Sequence, residues 1–125
     1  MSGLLLDTMI FIRSRENALD LPKGIKAAIA SAEMVYVSIA TGWEMAIKSA
    51  VGKLRLAESF ARGMARGGYD LLSIDYAHLE RVALLPHHHR DPFDRMLIAQ
   101  AQVEGLTIAT SDDEFRLYGV PLVAA

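Results

Sequence analysis

The stretch MVYVSIATGWEMAIKSAVG, residues 34–52, changes character partway along. Its first part, MVYVSIA (34–40), is almost continuously apolar and rich in β-branched and aromatic residues, the pattern of a strand buried on both faces. WEMAIKSAV then mixes apolar and charged residues at helical spacing and ends at Gly52, a helix stop signal. A buried strand running straight into a helix is half of a βαβ unit, and the rest of the chain repeats it. LLL (4–6), YDLLSI (69–74), LTIAT (106–110) and VPLVA (120–124) have the same strand character. PKGIKAAIASAE, ESFARGMAR, DYAHLERVALL and PFDRMLIAQAQVE have the helical one, with Gly67 and Gly105 as further stops. Strands alternating with helices predict an α/β fold with a parallel sheet covered on both faces.

The chain has 125 residues, which fits one domain over 1–125. No apolar run approaches the roughly 20 residues of a membrane helix. The N-terminal MSGLLLDTM lacks the pattern of a secretory signal, and there is no cysteine, so a soluble cytoplasmic protein without disulfides or thiolate metal sites is expected. The formal charge of −2 first argues against nucleic acid. If four of the 15 acids belong to a metal site, however, 11 remain against 13 lysines and arginines, a balance of +2.

In open parallel sheets, ligands bind beyond the carboxyl ends of the strands. Asp7 closes the first strand, Glu44 lies in the first turn after the second, Asp94 opens the helix leading into LTIAT, and Asp112 with Asp113 follows that strand. Helix capping is a competing explanation. Thr41–Glu44 and Ser111–Glu114 both match capping boxes, and Asp91-Pro92 is an N-cap followed by proline at the first helical position. Asp91 is therefore read as a cap. Asp94 and Asp7 are harder to explain that way, since Asp7 follows a buried strand and its charge would need a partner.

Four converging carboxylates repel one another, and a divalent cation is the simplest way to hold them together. Hard oxygen donors suit Mg²⁺ or Mn²⁺, and the chemistry expected is phosphodiester hydrolysis by one or two ions. His87, His88 and His89 are consecutive, so alternate rings point apart, against the spacing of a zinc site. They are placed in a loop, where one ring could approach a phosphate or donate a proton. His78 is expected on a partly exposed helix face.

These residues resemble the PIN-domain ribonucleases, and within them the VapC-type toxins of bacterial toxin–antitoxin pairs. The resemblance rests on LLLDT, VSIATGWEMAIKSAVGKL, HRDPFDRMLIAQAQVEGLTIATSDDEF and YGV, nearly the whole chain. It implies a three-layer α/β/α fold with a mostly parallel sheet, and a Mg²⁺- or Mn²⁺-dependent endoribonuclease silenced by a small VapB-like antitoxin. It places the family's four catalytic, metal-binding acids on Asp7, Glu44, Asp94 and Asp112, with Thr110 at the hydroxyl position beside the last. Asp113 leaves that fourth assignment open by one residue, and Met9 stands where relatives often carry a polar residue. Arg90, Arg95, Lys48 and Lys53 are candidates for RNA contact. Trp43 is expected to pack against the sheet, with base stacking as the alternative. Ile10, Ile12 and Met64, read as exposed residues of early helices, are candidates for an antitoxin or homodimer interface, or for the core. Two other readings compete. One is a haloacid-dehalogenase-like phosphatase, disfavoured because Met9 occupies the place of its second aspartate; the other is a non-catalytic protein-interaction domain whose acids only cap helices.

Overall fold

A computed structural model describes residues 3–123. Five strands, β1 (Gly3–Leu6), β2 (Met34–Ser38), β3 (Asp70–Leu72), β4 (Thr107–Ala109) and β5 (Leu122–Val123), form one sheet of order β3-β2-β1-β4-β5. All four pairings are parallel. Each expected strand is present; β1 starts one residue earlier than expected, the other four are shorter, and Ala124 of the last lies outside the described residues. The helices are α1 (Thr8–Glu16), α2 (Lys23–Ser31), α3 (Ile39–Ala50), α4 (Phe60–Gly67), α5 (Tyr76–Leu84) and α6 (Pro92–Glu104), with 3-10 turns at Ala18–Asp20 and Asp113–Tyr118.

β1 lies at the centre, and the alternation of its side chains builds the two outer layers. Leu5 faces one side with Ile108, Leu97, Ile98, Leu85 and Phe115, under α5, α6 and the second 3-10 turn. Leu4 and Leu6 face the other with Val37, Ile10, Phe11, Ile25 and Met45, under α1 to α4. The result is the expected three-layer arrangement. Leu5 and Leu6 are fully buried, and each such leucine contributes about 2 kcal/mol of apolar burial. α6 ends on Gly105 at φ 69°, a left-handed cap that favours glycine. Gly42, inside α3, lets α4 approach: a Cβ there would sit 2.6 Å from the Phe60 ring.

Several local expectations are corrected. α1 is a helix that the periodicity of 8–16 did not mark, because its apolar residues Ile10, Phe11 and Ile12 run consecutively. Ile10 and Ile12 are core residues, and Met64 packs half-buried against the same cluster, so none offers a free interface. The α4 stop is Gly68, not Gly67. α3 starts at Ile39 on a Ser38 cap, so Thr41 is inside the helix and makes no capping box. His78 is 1% exposed rather than on an open face: with Asp75 it completes a capping box, and its Nε2 lies 2.8 Å from Glu104 Oε2, tying α5 to α6.

The sheet order also fixes where a site can form. From β1 the chain steps outward through β2 and β3, then returns to the other side of β1 as β4. The connections thus leave β1 and β4 in opposite directions, which opens a crevice at their carboxyl ends.

Candidate metal centre

Asp7 and Thr110 stand at that crevice, one directly after β1 and the other directly after β4. Asp7 is 6% exposed. It caps α1, with Oδ1 accepting from the Ile10 N–H at 2.8 Å, and its Oδ2 accepts from Thr110 Oγ1 at 2.5 Å. A cap therefore explains only part of Asp7, because its buried charge meets neutral donors and no cationic side chain among the described residues. Burial pushes the Asp7 carboxyl above the usual range, the Thr110 and Ile10 bonds pull it down, and the charges of Asp112 and Glu44 push it up again.

Glu44 comes from the inward face of α3, which also carries Thr41, Met45 and Lys48 at helical spacing. It is buried; Thr8 Oγ1 donates to its Oε1 at 2.6 Å, Thr8 and Thr41 hydroxyls are 3.1 Å apart, and Lys48 Nζ donates to Oε2 at 2.5 Å. That bond to Glu44 is the largest reason the Lys48 pKa is raised. Lys48 thus holds Glu44 in place, and with its side chain 38% exposed it also reaches the surface.

Asp94 lies in the first turn of α6. Asp91 caps that helix, accepting from the N–H groups of Phe93 at 2.8 Å and Asp94 at 3.2 Å. With the cap role taken by Asp91, the Asp94 carboxylate is left to face the crevice. It is pushed up to about 7, first by burial and then by Asp91, with Asp7 and Glu44 adding to the rise and His89 opposing it. Asp91→Ala should cost about 1 kcal/mol of stability through loss of the cap, seen as a lower thermal midpoint. An unchanged midpoint would remove the capping role.

Of the two candidates for the fourth acid, Asp112 faces the cluster and Asp113 is exposed on the 3-10 turn. Asp112 is itself the N-cap of that turn, accepting from Glu114 N–H at 2.9 Å, so Ser111 starts no capping box. Its own N–H donates to Thr110 Oγ1 at 3.0 Å. Thr110 therefore links Asp7 to Asp112 and orients the acids.

His89 belongs to this group, which the sequence reading did not foresee. Its Nε2 lies 2.9 Å from Asp94 Oδ2 and 3.2 Å from Asp112 Oδ2, while Nδ1 lies 3.2 Å from Glu114 Oε2. Burial disfavours its charged form most strongly, but Asp94, Asp112 and Glu114 outweigh that and leave its pKa raised. His87 and His88 stay exposed in the loop, with His88 edge-on to Tyr118.

Two expectations about flanking residues change. The Arg95 guanidinium donates to the carbonyls of Pro86, Val82 and Leu85 at 2.8 to 3.3 Å, so it clamps the end of α5 and the histidine loop instead of projecting toward a phosphate. Trp43 is 62% exposed and stands edge-on to Phe93 at a centroid distance of 5.2 Å, rather than packing on the sheet. Arg90 and Lys53 are exposed.

The donors suit a hard divalent ion: Asp7 and Glu44 are buried, Glu44 and Asp112 push Asp7 up, Asp7 and Glu44 push Asp94 up, and ligand atoms of His89, Asp112 and Glu114 lie within 4.8 Å of one another. The PIN domain family matches the chain over residues 4–120. The chain belongs to the PIN-domain family. Comparison with curated protein sequences finds no match. Among solved structures, this PIN domain is similar to a chain of the DNA-bound VapBC from Salmonella typhimurium, with TM-score 0.70 and 18% identity over 99% of this chain and 98% of that one. It is also similar to a chain of VapBC2 from Rickettsia felis bound to a promoter DNA fragment (TM-score 0.68, 12% identity, 98% of each chain). A third likeness is to FitAcB from Neisseria gonorrhoeae (TM-score 0.63, 21% identity, 95% of each chain). At these identities the likeness is one of fold. Family membership sets aside the phosphatase reading.

Proposed function

We propose that this PIN domain is a Mg²⁺- or Mn²⁺-dependent endoribonuclease and the toxin of a toxin–antitoxin pair. The observation that carries the proposal is the buried acid group at the β1/β4 crevice, with Asp7 meeting no cationic side chain among the described residues and Asp94 pushed up to about 7. Such a group is costly unless a cation joins it.

Asp7 and Asp94 would hold the ion, with Glu44 and Asp112 completing its surroundings directly or through water. Once bound, the ion supplies a Lewis acid and an activated water for attack on an RNA phosphodiester. The chain's own residues prepare the site. Thr110 fixes the Asp7 and Asp112 carboxylates, Thr8 and Lys48 fix Glu44, and the Asp91 cap fixes the first turn of α6 and so Asp94. Lys48, partly exposed at the edge of the site, is the residue here best placed to meet an incoming phosphate. The test is to titrate Mn²⁺ or Mg²⁺ and follow both thermal stability and cleavage of bacterial RNA. No response in either would favour the non-catalytic interaction domain.

The antitoxin partner is supported by the complexes named in the structural neighbours' descriptions. A short DNA-binding protein encoded beside this gene, forming a complex with it on co-expression, is the expected finding; failure of the two to associate would remove it. A homodimer is supported by an apolar stripe on α3, Ile39, Trp43 and Ile47, each at least 40% exposed and spaced four residues apart. Trp43 also lines an apolar pocket with Ile74, Val82, Phe93 and Met96. Light scattering should give twice the 13.7 kDa chain mass, and a monomer at micromolar concentration would refute the dimer.

A further inference from the structure

Three consecutive histidines share one loop, yet only His89 turns inward. Its backbone N–H donates to Tyr118 Oη at 2.8 Å, and its ring stands edge-on to Phe115 at a centroid distance of 6.0 Å. The side chain is 12% exposed. The ring is thus held from two sides, with Nε2 toward Asp94 and Asp112 and Nδ1 toward Glu114.

The spacing of these ion pairs is also that of two ligands on one ion. Neighbouring donors on one octahedral ion, each about 2.1 Å from it, lie about 3 Å from one another. Nε2 stands 2.9 and 3.2 Å from the two carboxylate oxygens, so each acid is at the separation of a neighbouring donor from the ring, and ligand atoms of His89, Asp112 and Glu114 all lie within 4.8 Å of one another. The far side of the ring matches as well. A metal-binding imidazole characteristically turns its second nitrogen to a carboxylate or a carbonyl, which fixes the tautomer and leaves the first nitrogen's lone pair for the metal. Glu114 Oε2, 3.2 Å from Nδ1, is in that position. The Asp91 N–H also approaches Nδ1, at 3.3 Å, so the ring can be held as one tautomer without the ion and as the other with it.

We propose that His89 is a nitrogen ligand of the divalent ion, through Nε2 and alongside Asp94 and Asp112, with Glu114 as its positioning residue. The consequence concerns the choice of metal. Mg²⁺ is served best by oxygen donors, whereas an imidazole nitrogen favours first-row transition ions. His89 would therefore shift this site toward Mn²⁺ or Co²⁺ and away from Mg²⁺. The inference rests on the metal reading of the preceding subsection.

The experiment loads the purified full chain with Mn²⁺ and records its pulsed electron paramagnetic resonance spectrum, alongside calorimetric titrations with Mn²⁺ and Mg²⁺. Wild-type protein should show coupling of Mn²⁺ to one nitrogen. His87→Ala and His88→Ala should keep that coupling, and His89→Ala should lose it. Mn²⁺ affinity of His89→Ala should fall on the order of tenfold, with a smaller change for Mg²⁺, so that the preference between the two narrows. Glu114→Gln should keep the coupling but weaken Mn²⁺ binding. Bound Mn²⁺ without nitrogen coupling overturns the His89 assignment alone, and so does an affinity that rises when His89 is removed, which would make the ring a competitor of the ion. Should wild-type protein bind neither Mn²⁺ nor Mg²⁺, the metal reading itself falls. The wild-type spectrum gives the answer even where a variant fails to fold.

Discussion

Asp7→Asn and Asp94→Asn will each lower metal-dependent RNA cleavage by on the order of a thousandfold or more, equivalent to about 4 kcal/mol of lost transition-state stabilisation. Each change removes one negative charge from the crevice with little change in volume. The amide oxygen at position 7 can still accept from the Ile10 N–H, and its NH2 can donate to Thr110 Oγ1 in place of the bond that Thr110 now donates, so the α1 cap and the β1–β4 tie have a route to persist. At position 94 the helix cap belongs to Asp91, and the substituted side chain is not needed to start α6. Both variants should therefore fold with native circular dichroism, bind Mn²⁺ weakly and cleave little. Purified, folded Asp94→Asn protein that cleaves RNA as fast as wild type would remove Asp94 from the site. Lys48→Met is expected to do less, because it acts on Glu44 and on substrate approach rather than on the ion directly.

The second large effect is on stability against pH. Asp94 ionises near 3.8 when unfolded and near about 7 when folded. Between those values the folded state holds more protons than the unfolded one, so stability falls as pH rises through that window. The His89 pKa is raised as well, with Asp94, Asp112 and Glu114 outweighing its burial, so its charge favours the folded state below 6.5 and that stability is lost as pH climbs through the folded value. Because Asp94 is one of its partners, the two titrate as a pair and their contributions do not simply add. Asp7, also raised, adds to the slope. At about 1.4 kcal/mol per unit, Asp94 alone corresponds to a few kcal/mol of lost stability by pH 8, or very roughly 10 °C in a chain of this size.

The metal-free protein should accordingly melt lower at pH 8 than at pH 5.5. Asp94→Asn should flatten most of that difference and be the more stable protein at pH 8. Mn²⁺ should have the opposite pH dependence, raising the midpoint more at pH 8, where the carboxylates are ionised, than at pH 5.5. Comparing wild type with Asp94→Asn cancels the contributions of distant acids such as Glu58, which is paired with Arg15. A wild-type curve as flat as that of the variant would show that Asp94 is not held in its neutral form.

Much of this was legible before the fold. Strand and helix alternate because residues buried on two faces and residues buried on one leave different periods in the chain, and both are local properties. Asp7, Glu44 and Asp112 each sit at a strand end or in the first turns of the element that follows it, and Asp94 opens the helix that leads back into β4, so a parallel sheet brings them to one edge. Asp91 as cap and Gly105 as stop are equally local, being set by backbone dihedral angles and orphan amide groups. The extent of α1 and the burial of Ile10 and Ile12 were not legible, since three consecutive buried residues leave no helical period. Trp43 could have been placed from its own helix: Thr41, Glu44, Met45 and Lys48 share one face, while Ile39, Trp43 and Ile47 share another.

What the sequence by itself determined is the layered α/β architecture and the edge on which the acids gather, because both follow from local periodicity and the direction rule of parallel sheets. Only the tertiary structure decided which of three identical histidines faces those acids, that His78 is buried against Glu104, and that Arg95 binds carbonyls. Each of these depends on a partner distant in the chain: Tyr118 and Phe115 for His89, Glu104 for His78, Val82 and Leu85 for Arg95. Neighbours in sequence share the same local chemistry, and only long-range packing makes them unequal.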